Sequence, residues 1–141
     1  MSSSACRLTL LSALLGAAHS LSVGEQMLLK PNWVVVGDVT NPRKPAAAVL
    51  QRLQDAGKCA VGVNPRDRTG TLCKTLAEVD GHIDVIDLII NAKLGISILE
   101  EAANLGIKDV FIQPGASSEE IEAYCEASGM QVHHGCVLRE L

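Results

Sequence analysis

Aromatic side chains are nearly missing from this chain: its 141 residues include one Trp, one Tyr and one Phe. Proteins that hold single-stranded nucleic acid stack bases on aromatic platforms, and this composition cannot build one. There is no surplus of positive charge either. The formal net charge is −4, which excludes a general polyanion binder. The five cysteines contain no Cys-x-x-Cys pair, so a metal site is not expected, and a core of this size does not need a disulfide framework. The apolar run near the amino end falls short of the ~20 residues that a helix needs to span a bilayer.

What the chain does have is the material for a core. Apolar residues make up 48% and charged residues 20%, which excludes a disordered or fibrous chain. At this length roughly two-thirds of the unfolded surface is buried on folding, enough for one self-supporting domain and too little for two. Charge is unevenly placed. Residues 43–74 hold seven basic side chains against two acidic ones, Asp55 and Asp67, a net of +5. Residues 75–141 hold three basic against twelve acidic, a net of −9. A positive block inside an acidic protein suits a compact anionic ligand better than a long polymer.

Residues 1–24 contain one basic residue, Arg7, and no acidic one. An apolar run from Leu8 to Ala18 leads into Ala18-His19-Ser20, a small-x-small pattern. This reads as a signal or transit peptide, secretory or organellar, and divides the chain into a targeting segment, 1–24, and a globular domain, 25–141. Without targeting, the expected place is the cytoplasm. Cys6 would leave with a cleaved presequence. Cys59 and Cys125 fall in apolar patterns and are expected to be small core residues. Cys136 follows Gly135 at a strand exit, a position from which a thiol can face a ligand.

After residue 25, strand-length apolar runs alternate with helical patterns. Strands are expected at Asn32–Val36, Cys59–Val63, Asp84–Ile90, Asp109–Ile112 and Met130–His133. Helices are expected at 46–56, with Pro45 in the first turn and Gly57 as the stop, and at 94–105, stopped by Gly106. A Ser117–Glu120 capping box opens a third helix that stops at Gly129. The strands are continuous apolar runs, so both sheet faces should be covered. The fold class is therefore α/β: a single-domain, Rossmann-like, doubly wound five-stranded parallel sheet with right-handed crossovers. With strand order 3-2-1-4-5, the first and fourth strands would flank the ligand crevice at their carboxyl ends.

That crevice would be formed by the loop Gly37-Asp38-Val39-Thr40-Asn41-Pro42-Arg43-Lys44 facing Gln113-Pro114-Gly115, and bordered by Asn64-Pro65-Arg66. Gly37 allows a tight turn that exposes amides toward the next helix, whose dipole attracts phosphate. Thr40 adds a hydroxyl donor, and Arg43 or Lys44 a cation. The dinucleotide fingerprint Gly-x-Gly-x-x-Gly is absent. At the second strand's end, where NAD binders place a carboxylate, this chain has Asn64-Pro65-Arg66 with Arg68 close by. Guanidinium groups there favour a ribose phosphate. NADP, with its 2′-phosphate, and coenzyme A, with its 3′-phosphate, both fit; the missing glycines favour coenzyme A.

The same residues carry a resemblance. The chain resembles the small stand-alone CoA-binding domain proteins, related to the amino-terminal domain of the succinyl-CoA synthetase α-subunit. The likeness runs over roughly residues 25–141. It includes Val34-Val35-Val36-Gly37 through Lys44-Pro45, then Val63-Asn64-Pro65, Ile83-Asp84-Val85-Ile86-Asp87-Leu88 and the run from Gly106 to Gly115, and closes on Cys136 with Glu140. The resemblance implies a Rossmann-like domain holding CoA through the Gly37–Lys44 loop, the Asn64–Arg68 turn and the strand ends near Ile90, Asn91 and Gln113. Asp38 stands where the family usually has a small residue, and Val137 replaces a usual proline. The ligase's phosphohistidine belongs to a second domain with no counterpart in these residues, and the family establishes no catalytic activity for stand-alone domains.

Catalytic groups are sparse. His19 lies in the presequence and His82 in an expected surface turn. Alternation points His133 and His134 to opposite faces, against joint metal ligation, although either one lies near Cys136 as a candidate base. Ser117 and Ser118 read as helix caps, and Glu119, Glu120, Glu122 and Glu126 as a solvated face. Asp84 and Asp87 flank a strand without an assigned role. The expected function is non-catalytic binding of coenzyme A or acyl-CoA: Gly37-loop amides on the pyrophosphate, Lys44 and Arg66 on phosphates, Gln113 or Gly115 along the cleft. The alternatives are an NADP-binding oxidoreductase-like domain and a redox protein whose Cys136 forms a mixed disulfide with CoA. The expected partner is a small nucleotide ligand, neither nucleic acid nor membrane.

Overall fold

The computed structural model describes residues 20–141. The targeting motif and Cys6 lie outside the described residues, apart from Ser20. The expected domain boundary at residue 24 cuts an element that the pattern reading missed, helix α1 (Val23–Leu28). Its start is fixed by a reciprocal cap: Ser22 Oγ accepts from the Glu25 amide, and the Glu25 carboxylate accepts from the Ser22 amide. Six residues are too few for a periodic signal, but the Ser-x-x-Glu spacing was there to be read.

Five parallel strands follow: β1 (Asn32–Gly37), β2 (Cys59–Val63), β3 (Val85–Ile89), β4 (Asp109–Ile112) and β5 (Gln131–His134). Helices α2 (Pro45–Asp55), α3 (Ala92–Asn104) and α4 (Glu119–Ala127) occupy the expected stretches, and a 3₁₀ turn (Leu76–Glu78) and a short α5 (Val137–Glu140) were not anticipated. The third helix is capped by Ser118, not by Ser117: Ser118 Oγ accepts from the Ile121 amide at 3.1 Å, while Ser117 donates to Glu122.

Alternation along the strands divides the core into two layers. Val34, Val36, Ile86, Leu88, Val110 and Ile112 pack beneath α3 and α4. Trp33, Val35, Val85 and Phe111 pack beneath α1, α2 and α5, against Met27, Ala46, Val49, Leu53 and Val137. All of these are essentially buried.

The strand order is β2-β1-β3-β4-β5, which corrects the expected 3-2-1-4-5. The reversal comes one strand earlier than assumed. The chain leaves β2, crosses through residues 64–84, which contain the 3₁₀ turn and no α-helix, and re-enters the sheet as β3 on the other side of β1. The topological switch therefore lies between β1 and β3. Gly37 closes that seam, paired with Ile89. Its φ is not positive, so tight turning is not what demands glycine here. A Cβ would overlap the Ile89 carbonyl oxygen and stand 3.2 Å from the Ala46 Cβ.

Candidate functional site

Above the seam lies a crevice of about 520 Å³. The β1 exit contributes Asp38, Thr40 and Lys44; the β2 exit contributes Asn64, Arg66, Asp67, Arg68 and Thr69; the β3 exit contributes Ile90 and Asn91. Two helix starts open onto it. Lys44 occupies the N-cap of α2 without a side-chain cap, with Pro45 at the first helical position. Asn91 caps α3, its Oδ1 accepting from the Leu94 amide at 3.1 Å. Both helix ends direct partial positive charge toward the crevice.

Lys44, Arg66 and Arg68 are exposed, and among the described residues none of them forms an ion pair. That is notable because two carboxylates share the crevice. Asp38 is engaged only weakly by the Thr40 hydroxyl, at 3.4 Å. Asp67 is turned inward at 5% exposure and accepts from the Thr69 amide and hydroxyl and from the Gly70 and Leu72 amides. The Thr69 hydroxyl foremost, and then these backbone amides, hold its carboxyl below the usual range against an opposing desolvation. Asn64, also buried, accepts from the Arg66 amide through Oδ1.

Other sequence-chosen positions fall elsewhere. Val39 turns its side chain down onto Gly62, where a Cβ would overlap it, and Arg43 is exposed and does not line the crevice. The amides of Val39, Arg43 and Lys44 are already bonded inside the loop, so the expected row of free loop amides is much reduced. Pro65 is half-buried behind the Asn64 turn. Gln113 is a buried residue whose amide nitrogen donates to Asp87, so it does not line the crevice. Asp87 itself does not flank β3 but sits inside it, a correction to the sequence reading. Gly115, with φ 85°, belongs to a shallow depression of about 260 Å³ with Pro114 and Ala116, which shares Ile89, Ile90 and Asn91 with the crevice. Earlier reversal of the winding explains the displacement: β3, not β4, neighbours β1.

Cys136 lines neither hollow. Its amide donates to the Glu140 carboxylate at 2.7 Å, whose other oxygen meets His133 Nε2 at 2.8 Å. The His133 ring packs against Phe111 with centres 4.8 Å apart and planes tilted by 57°, and His134 pairs with Glu122. The two histidines thus serve opposite faces. Asp67 and Thr69 are the polar crevice residues that the sequence reading missed, beside the apolar Pro45, Ala46, Ile89 and Leu94. An isolated Asp between two arginines gives no hint that it is folded inward.

A family model described as a CoA binding domain matches residues 31–141, taking in all five strands. A conserved hypothetical protein from Pyrococcus furiosus is 31% identical, with 79% of this chain and 100% of that chain covered and a TM-score of 0.71. A hypothetical protein from Pyrococcus horikoshii OT3 shares the fold at 24% identity, covering 85% of this chain and 89% of that one, TM-score 0.74. The dinucleotide-forming acetyl-coenzyme A synthetase 1 of Ca. Korarchaeum cryptofilum, solved with phosphate and ADP, shares the fold over 79% of this chain but 27% of its own, at 20% identity and TM-score 0.60. By the match of its family model, the chain belongs to the CoA binding domain family.

Proposed function

We propose that the protein binds coenzyme A or acyl-coenzyme A in the crevice at the β1, β2 and β3 exits, as a carrier or sensor that performs no chemistry on it. The observation that carries this reading is the set of cations left without ion-pair partners, Lys44, Arg66 and Arg68, around one hollow at a topological switch. Lys44 and the uncapped start of α2 take the pyrophosphate, and Arg66 and Arg68 take the 3′-phosphate. Each charge-assisted hydrogen bond of this kind contributes ~1.5–3 kcal/mol. The neutral pantetheine arm leaves over Ile90 and Asn91 toward the depression at Pro114–Ala116. An organelle with its own CoA pool reconciles this ligand with the targeting-like amino-terminal pattern.

Calorimetric titration with CoA, dephospho-CoA, NADP and NAD tests the reading. CoA should bind, and dephospho-CoA should bind at least about tenfold more weakly, a difference of ~1.4 kcal/mol. Binding of NADP without CoA would assign the crevice to the other ribose phosphate.

A further inference from the structure

We propose that Asp67 is the positioning residue that keeps Arg66 and Arg68 unpaired and aimed together at a terminal phosphate monoester. The inference rests on the proposed CoA reading and deepens it: the selectivity for a 3′-phosphate is set by a residue that never touches the ligand.

Asp67 pairs with neither of the arginines that flank it, and its own hydrogen bonds say why. An ionised carboxylate offers about four acceptor positions. In Asp67 four donors fill them: Oδ1 takes the Thr69 amide at 3.2 Å and the Thr69 hydroxyl at 2.7 Å, and Oδ2 takes the Gly70 amide at 3.0 Å and the Leu72 amide at 3.3 Å. Nothing remains to accept from a guanidinium. The negative charge is held by the Thr69 hydroxyl and the loop's own amides, and the neighbouring positive charges stay free for a ligand.

The same bonds shape the loop. Residue 67 is buried while 66, 68, 69, 70 and 71 are exposed, so little apolar packing defines this turn. Its geometry comes from two buried polar side chains. Asn64 Oδ1 fixes the Arg66 amide at 2.9 Å, and the Asp67 amide donates to the Asn64 carbonyl at 3.0 Å. Gly70, at φ 73°, lets the chain fold back over the carboxylate. With residue 67 turned inward, residues 66 and 68 are both left facing outward on the crevice rim. Holding the backbone of both arginines in place before binding reduces the ordering cost of the loop at the moment of association.

Asp67→Asn is the discriminating variant. One of its carboxyl oxygens becomes an NH₂ group, which cannot accept the amides now on that side, so near-identical size is kept while the bracing fails. The readout is the ratio of CoA to dephospho-CoA affinity, measured by calorimetry beside the thermal midpoint. In the wild-type protein the ratio should be about tenfold or more; in Asp67→Asn it should fall to within about twofold of unity, with dephospho-CoA affinity changed less than about threefold. Thr69→Val, which removes the shortest of the four bonds together with the hydroxyl's two contacts to Thr71, should give an intermediate ratio and serves as the measurement if Asp67→Asn does not fold. A purely structural Asp67 would lower the midpoint and leave the ratio alone. A wild-type ratio with both variants matching it overturns this inference and spares the CoA reading. A wild-type protein that treats CoA and dephospho-CoA alike overturns the phosphate seat and this inference with it.

Discussion

The side-chain nitrogen of Gln113 stands 3.0 and 3.1 Å from the two carboxyl oxygens of Asp87. Asp87 lies in β3 between Val35 of β1 and Phe111 of β4, wholly buried, and the Gln113 amide also donates to the Leu88 carbonyl. The exit of β4 is thereby tied to β3 by side chain and by backbone, which sets the turn at Pro114–Ala116. Burial pushes the Asp87 carboxyl up to about 8, only partly offset by the Gln113 hydrogen bond. The folded protein therefore keeps a proton that the unfolded chain releases near pH 4. Stability tied to this group is complete below that pH and is lost progressively as pH rises toward 8. Asp87→Asn keeps the shape and carries no proton to lose. Urea unfolding at pH 5, 6.5 and 8 should show a falling wild-type profile and a flatter one for the variant; parallel profiles would place the titration elsewhere.

Gly37→Ala tests the seam itself. The added methyl meets the Ile89 carbonyl, a backbone atom that moves only with β3, and Ala46 behind it. Overpacking of this kind costs ~1–3 kcal/mol. The thermal midpoint should fall by several degrees, and ligand binding should weaken because the crevice floor shifts with it. An unchanged midpoint would mean that β1 and β3 separate freely at this end.

Strands β1 to β4 were legible as strand-length apolar runs, interrupted in β3 by Asp87, whereas β5 holds a single apolar residue, Val132; β2 and β4 have the expected limits, and the rest differ by a residue at one or both ends. The order of the sheet was not legible. The connection from β2 to β3 carries no α-helix, so nothing in its pattern indicated on which side of β1 the chain would re-enter. This single ambiguity displaced Gln113 and Gly115 from the crevice and left Ile90 and Asn91 within it. Lys44, Arg66 and Arg68 survived the change because they sit on β1 and β2 exits, whose adjacency both orders share. Asp67 and Asp87 were unreadable for a different reason: whether a carboxylate faces water or the interior depends on donors brought to it by folding.

Thiol reactivity should separate the cysteines by environment. Cys125 is buried on the core-facing side of α4, and desolvation, reinforced by Glu122, pushes its thiol up to about 11. The thiolate is the nucleophile, so this side chain should stay unmodified in the native protein. Cys73 and Cys136 are half-buried. With iodoacetamide at pH 8, peptide mass mapping should find alkylation at these two before Cys125, which reacts only after denaturant is added. Early modification of Cys125 would mean that α4 lifts from the sheet under native conditions.

Lys44→Glu should part binding from stability. Lys44 is exposed and caps α2 through no side-chain bond, so its removal breaks no contact in the fold. A carboxylate at a helix N-terminus is favourable by ~0.3–1 kcal/mol, so the thermal midpoint should hold or rise slightly. The ligand meets the opposite effect. Reversing the one cation assigned to the pyrophosphate replaces a charge-assisted hydrogen bond with repulsion, and CoA affinity should drop by at least about 100-fold, ~2.8 kcal/mol. Raising salt should weaken wild-type binding more than that of the variant, since the screened attraction is what the substitution removes. A large fall in the midpoint would make Lys44 part of the scaffold, and unchanged affinity would move the phosphates away from the start of α2.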